Sequence, residues 1–437
     1  MTAAPATLTL TFRAITPIFM GGAIPAHCWE LLRQGGPGAR PQRGAQIDMG
    51  LAELRPSSLK GLLRFWYRAI DPDYARHEPV VFGGAGSGQG QGPFSMTAAP
   101  PVTGSWPWRG NDYDRFTQPA ANVWKNGATY LGFPLETRDT RQGFQSQRVA
   151  LPLGAGVDYT VTHHLSRRAM DDERVLKGLY SSWWLLCHLG GLGARCRRGF
   201  GSVALTSWQL AGAQGPEGSP PLPYSRSSAT LEEWWKDFSE GLDALRRWYR
   251  VTAPPVGLPD HLVLDHSSRF ILAPVPSPRT GRAGTWQDGL DAVGRLMQDF
   301  RQKKLDYRLT KAYLDLRFGT GGAPLRAAPE RGAFGLPLPF SSQSLGHWAR
   351  AVFQGETHDR SASRIWLRVV HVGGAFWPLV IRLAGPLLPE TERIKDAEWV
   401  DRDRKPVETW AQPGDGVLDQ FCDEVASVPG ALPRTGV

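Results

Sequence analysis

The densest set of chemistry-bearing residues is cationic and stands in the stretch Arg55 to Ile70, RPSSLKGLLRFWYRAI. Lys60, Arg64 and Arg68 recur every fourth residue, so on a helix they share one side, with Tyr67 at its margin. Like charges at this spacing repel by about 0.2–0.5 kcal/mol per pair, and no acidic residue lies among them. An anion would relieve the repulsion. Pro56 suits the first helical position, where its missing N–H costs nothing. Ser57 and Ser58 then offer backbone N–H groups at the positive end of the helix dipole, where a phosphate can sit. A solvated basic face, its stems lying over apolar neighbours, fits the same spacing.

A second set lies between Gly190 and Gly201, where Arg195, Arg197 and Arg198 stand among five glycines. Glycines let a backbone turn its N–H groups outward and approach a ligand closely. A tight turn from helix to strand needs fewer. From Trp106 to Phe133 aromatic and basic residues interleave (Trp106, Trp108, Arg109, Tyr113, Arg115, Phe116, Trp124, Lys125, Tyr130), a mixture that suits either base stacking or a core. The segment Phe82 to Phe94, FGGAGSGQGQGPF, lacks both the P-loop ending and the GxGxxG pattern, which leaves a loop or a surface linker.

Catalytic chemistry finds less support. A metal-independent ribonuclease needs a base and an acid flanking a 2′-hydroxyl. His163 and His164 are adjacent, so on a strand they face opposite ways and cannot serve one site. His27, beside Gly21-Gly22, is the better candidate base, though a lone loop histidine is weak grounds for catalysis. Asp171-Asp172-Glu173 is the tightest acidic group, and it stands where a helix start favours acids for dipole reasons alone. There is no GxSxG elbow. Cys28, Cys187, Cys196 and Cys422 form no CxxC pair and read as reduced thiols. The expectation is a non-enzyme without metal or cofactor.

The 437 residues suffice for two or three domains. A hydrophobic content of 41%, with 17 Trp and 18 Phe, makes the chain globular rather than disordered. The formal charge of +9 favours an anionic partner. No basic-then-apolar leader and no membrane-length apolar run is present, so the chain reads as soluble and cytoplasmic.

Period-two alternation predicts strands over 7–15, 157–165 and 202–210, and apolar faces at helical spacing predict helices over 55–70 and 174–189. A Gly-, Pro- and Ser-rich connector, 211–228, is the clearest boundary. An amphipathic helix over 231–249 follows, and then the order restarts. A strand at 269–273, a helix at 285–304, glycine loops at 319–322 and 332–335, a hairpin of 365–372 with 376–383 through Gly373-Gly374, and a last helix over 417–425 complete the chain. The division is 1–212, a linker with its helix over 213–258, and 259–437, with two related α+β domains.

The run Arg55-Pro56-Ser57-Ser58-Leu59-Lys60-Gly61-Leu62-Leu63-Arg64-Phe65-Trp66-Tyr67-Arg68 resembles the signature near the start of the first RAMP subunit of the type III-B CRISPR effector, the Cmr complex. Thr16 to Gly22 is similar to that family's strand-end turn, Val81-Phe82-Gly83-Gly84 to its following loop, and Gly190 to Gly201 to its glycine-rich loop. Arg360-Ser361-Ala362-Ser363 is similar to a short Arg/Ser motif of the second half, with Arg364 where the family has proline. The resemblance covers the first 200 residues well and the remainder loosely.

It implies an α+β fold of two tandem ferredoxin-like (RRM-like) RAMP domains, each an antiparallel sheet with helices on one face and glycine-rich loops. It also implies a noncatalytic subunit holding the 3′ part of a guide RNA (crRNA) and the adjacent target RNA, beside neighbouring RAMP backbone subunits and away from membranes. The expected RNA contacts are Ser57, Ser58, Lys60, Arg64, Arg68, Arg195, Arg197 and Arg198. The alternatives are a RAMP endoribonuclease that processes precursor guide RNA with His27 as base, and a protein–protein adaptor.

Overall fold

The computed structural model describes residues 6–20, 52–86, 89–99, 127–132, 135–139, 143–146, 150–154, 157–212, 222–224, 228–251, 261–303, 306–341, 350–398 and 408–437. The first unit opens with β1 (Thr7–Ala14), whose alternation buries Leu8, Leu10, Phe12 and Ala14 and turns Thr7, Thr9, Thr11 and Arg13 outward. In chain order follow α1 (Pro56–Ile70), α2 (Tyr74–Phe82), β2 (Phe94–Ala99), α3 (Gly127–Gly132), the hairpin β3 (Glu136–Asp139) with β4 (Gly143–Ser146), β5 (Asp158–Leu165), α4 (Arg167–Asp171), α5 (Glu173–His188) and β6 (Val203–Ala211). The sheet order is β2-β5-β1-β6 with every pairing antiparallel. Strand, helix, two strands, helix, strand in that order is the ferredoxin-like arrangement.

After α6 (Leu231–Tyr249), started by a capping box of Thr230 and Glu233, the arrangement repeats. The elements are β7 (Arg269–Leu272), α7 (Trp286–Lys303), α8 (Asp306–Arg317), β8 (Leu338–Ser341), β9 (Arg350–Gly355), β10 (Ile365–Val372), β11 (Ala375–Arg382), β12 (Ile394–Asp396), β13 (Thr409–Trp410), α9 (Gly416–Ala426) and β14 (Leu432–Thr435). The second sheet, β10-β11-β7-β14, has the same order as the first, with α7 and α9 in the helix positions. One feature lay outside the sequence reading. Segments inserted on either side of the β10–β11 hairpin form a third sheet, β13-β12-β9-β8. It has a small core of its own around Tyr313, Leu314, Phe353 and Trp410.

The two units stack as alternating layers. β10 is buried on both faces, which is why IWLRVVHV reads as a nearly continuous apolar run. Phe270, Trp366, Val370, Leu379 and Ile381 belong to one core with α1, α5 and α6. Ile271, Leu367, Val369 and Val380 belong to another with α7 and α9. Burial of side chains such as Trp66, Trp183 and Trp366 is worth about 1.5–3 kcal/mol each, so the second sheet is held by its neighbour's helices as much as by its own. Among the described residues Cys187, Cys196 and Cys422 are free thiols, and no helix is long and apolar enough to cross a membrane.

Candidate nucleic-acid interface

Helix α1 starts at Pro56 as its sequence dictates, with no acidic residue in the first turn and no side chain capping it. Leu59, Leu63, Trp66, Ala69 and Ile70 are buried, and Ser57 is exposed at the open end. Tyr67, expected at the margin of the cationic side, is buried and donates to Asp71 Oδ2 at 2.7 Å.

The cationic row does not face a ligand unopposed. Arg64 donates from Nη1 to Glu78 Oε1 at 3.0 Å and from Nη2 to the carbonyls of Phe82 (3.0 Å) and Gly83 (2.7 Å). Arg68 closes on the same carboxylate, with Nη2 at 2.8 Å from Oε1 and Nε on Oε2. The Glu78 side chain is 8% exposed, against 30% for Arg64 and 46% for Arg68. The expectation of an unrelieved row is therefore corrected: one buried acid on α2, ten residues beyond Arg68, takes both arginines. Its signal was obscured because Pro79 stands inside α2 and argues against a helix there. Lys60, the third member, lies 5.3 Å from the Phe94 ring centroid, and burial together with Arg64 lowers its pKa from the usual lysine value.

The loop after α5 also departs from expectation. Its N–H groups bond within the fold rather than outward: Leu192 to the Gly201 carbonyl, Ala194 to Phe19, Gly199 to Leu367 and Gly201 to Pro17, at 2.8–2.9 Å. A Cβ on Gly201, at φ +65°, would lie 1.9 Å from the Leu192 oxygen, so the glycines serve close backbone packing. Arg195 itself adopts a left-handed φ of 62°.

Arg197 is consumed by the fold. Its guanidinium lies 4.7 Å from the Trp366 ring centroid and 5.6 Å from that of Phe65, and it donates to the Ser363 carbonyl at 3.3 Å. Ser363 belongs to the Arg/Ser motif of the second half, so two distant motifs meet here. Arg198 remains half-buried, and its pKa is pushed down to about 10, first by burial and then by Arg301 and Arg195, with Tyr130 opposing.

The outer face of the first sheet does not offer a base-stacking platform. Thr9 pairs with Thr162, Thr11 with Thr160, and Arg13 with Asp158 across the central strands. These outward positions carry no aromatic side chain among them.

His163 and His164 diverge as expected. His163 is fully buried, accepts from Trp183 Nε1 at 2.7 Å and has its pKa driven down to about 3 by burial, His164 and Lys60. His164 lies on the exposed side beside Thr97. Asp172 caps α5, and Glu173 pairs with Lys177. His27 and the aromatic–basic run 106–126 lie outside the described residues.

The residue that sequence reasoning missed most completely is Arg368. It is 1% exposed in an apolar strand, and its guanidinium donates to the carbonyls of Leu186, Cys187, Gly190 and Val203. A single arginine inside IWLRVVHV was the available signal.

Comparison with known families completes the site. Residues 11–204 match the family model described as the RAMP superfamily. The match spans the first unit, from β1 to β6. The crystal structure of Cmr1 from Pyrococcus furiosus, in its apo form, is similar at 15% identity and a TM-score of 0.52, covering 98% of this chain and 99% of that one. This likeness shows a shared fold running through both units. A cryo-EM structure of the type III-B Cmr-beta bound to cognate target RNA matches at 9% identity and a TM-score of 0.44, over 87% of this chain and 94% of the other. The comparison with curated proteins gave no match.

Proposed function

We propose that this protein is a noncatalytic, RNA-binding RAMP subunit of a type III-B CRISPR ribonucleoprotein in the cytoplasm, holding the 3′ part of the guide RNA and the adjacent target RNA beside other RAMP backbone subunits. The observation that carries the reading is the RAMP match over residues 11–204, joined to a fold shared along almost the whole length of Cmr1. The surface chemistry is compatible with it, since a chain of charge +9 favours a polyanion.

The groups proposed for phosphate contact are the N–H groups and hydroxyls of Ser57 and Ser58, Lys60, the outer edge of Arg68, Arg195 and Arg198. Arg64 and Arg197 act from behind, holding α2 and Trp366 in place. The test is photocrosslinking of guide RNA in a reconstituted complex. Crosslinks mapping to the start of α1 and the loop 190–201 support the reading; crosslinks to neighbouring subunits with none to this chain refute it.

A further inference from the structure

Helices α1 and α2 meet through two consecutive pairs of residues. Arg68 of α1 donates to Glu78 of α2, and its neighbour Tyr67 shares a carboxylate with the residue before Glu78, His77. That carboxylate is Asp71, in the turn between the helices, with a side chain 5% exposed. Its Oδ2 accepts from the Tyr67 hydroxyl at 2.7 Å and lies 3.0 Å from His77 Nδ1, while Oδ1 accepts from the Asp73 N–H at 2.9 Å. Tyr67 is fixed in turn by edge contacts with the Phe82 and Tyr249 rings, at 5.5 and 6.1 Å between centroids. The imidazole is therefore held in one orientation.

A carboxylate only accepts hydrogen bonds, so the proton on this edge of the ring belongs to Nδ1. In the neutral ring Nε2 is then a lone-pair acceptor. The His77 side chain is 24% exposed, and Nε2 has no hydrogen bond to a described residue and is not sealed in the interior. Bracing the turn needs Nδ1 alone. Tyr67 and Arg68 on one helix face His77 and Glu78 on the other, so this acceptor belongs to the surface that carries Arg68, whose side chain is 46% exposed. The groups proposed above for phosphate contact are all donors, as phosphate oxygens require. An acceptor among them suits a different group. On a sugar–phosphate strand the donor is the ribose 2′-hydroxyl, which separates RNA from DNA.

We propose that His77 Nε2 accepts a hydrogen bond from a ribose 2′-hydroxyl next to the phosphate held by Arg68, which makes His77 a specificity-determining residue for RNA over DNA. Asp71 is its positioning residue, fixing both the tautomer and the plane of the ring. The assignment rests on the RNA-binding reading above and adds recognition of the sugar to that of the phosphate.

The test measures binding of a labelled single-stranded RNA and of the DNA of the same sequence, with deoxyuridine for thymidine, across a salt series. Wild type, His77→Asn and His77→Gln are compared. The Asn amide reaches the Nδ1 position, so it keeps a donor for Asp71 and removes the outer acceptor; the Gln amide oxygen reaches the Nε2 position and restores one. Wild type is expected to prefer RNA. In His77→Asn that preference should fall about three- to tenfold, the worth of one hydrogen bond, through weaker RNA binding at unchanged DNA affinity and unchanged salt slope. His77→Gln should keep more of the preference than His77→Asn. Equal affinity of wild type for RNA and DNA would overturn the proposal before any variant is made. A wild-type RNA preference in His77→Asn would overturn it while leaving RNA binding intact, and equal weakening toward both strands with a shallower slope would replace it with a phosphate contact. A wild type that binds no RNA removes the RNA-binding reading and this assignment together.

Discussion

Arg368 Nη2 lies 2.6 Å from the carbonyl oxygen of Cys187, crossing from a strand of the second ferredoxin-like unit to the last turn of a helix in the first. A cation is favoured at a helix C-terminus, where unpaired carbonyls gather. The same guanidinium takes the carbonyls of Leu186, Gly190 and Val203, so it fixes α5, the start of the glycine loop and β6 onto β10 together.

Replacing it should therefore loosen the whole seam. Arg368→Met leaves several buried carbonyls unpaired and is expected to cost about 3–5 kcal/mol. Arg368→Lys should recover only part, because an ammonium cannot span four acceptors in a plane. Urea unfolding of both variants checks this; a loss under 1 kcal/mol for Met would contradict the role.

Glu78 is the hinge of the cationic row. Glu78→Gln should destabilise the protein by about 1–3 kcal/mol, below the roughly 3–5 kcal/mol of a fully buried broken pair because both arginines are partly in water. With the carboxylate neutralised, the charge of Arg68 is no longer offset by Glu78, so RNA affinity should rise and its salt dependence steepen. Weaker RNA binding in this variant at unchanged fold would argue against Arg68 as a phosphate contact.

Two buried histidines set an acid limit. His163 and His188 both have their pKa pushed down to about 3, chiefly by burial. Their neutral forms are native, whereas in the unfolded chain each binds a proton below its ordinary value near 6.5. Stability is thus fully present above about pH 6.5 and falls as pH drops toward 3, by about 1.4 kcal/mol per pH unit for each histidine. His163→Gln should show a shallower decline between pH 6.5 and 4 than wild type in urea unfolding; parallel declines would refute the assignment.

The docking of α3 on α7 can be tested through glycine. A Cβ on Gly294 would lie 2.1 Å from the Gly127 carbonyl oxygen, which is backbone and cannot swing away. Gly294→Ala should cost more than about 2 kcal/mol by overpacking, read by urea unfolding. Gly284→Ala, with open space around it, should stay within about 0.5 kcal/mol of wild type.

The long amphipathic elements were legible because their periodicity is local. Helix α6 runs Leu231–Tyr249 as its pattern predicted, and β10 runs Ile365–Val372. The repeat of the ferredoxin-like order was visible in outline for the same reason. The third sheet was not, since its strands are two to six residues long and find partners only across large separations in sequence. The site was read from charge spacing, which cannot see Glu78 return from the next helix or Trp366 arrive from the other unit. In one dimension Arg64 and Arg197 look like ligand contacts; in three, Arg64 is paired with Glu78 and Arg197 lies over Trp366. His27, the base in the endoribonuclease alternative, lies outside the described residues.

The central claim is that this protein holds RNA by its phosphates. Anisotropy of a labelled single-stranded RNA titrated with the purified protein across a salt series tests it most directly. Engagement of about three to five phosphates predicts a log–log slope of roughly −2 to −3.5. Absence of binding at low salt, or an affinity that does not respond to salt, would contradict the account.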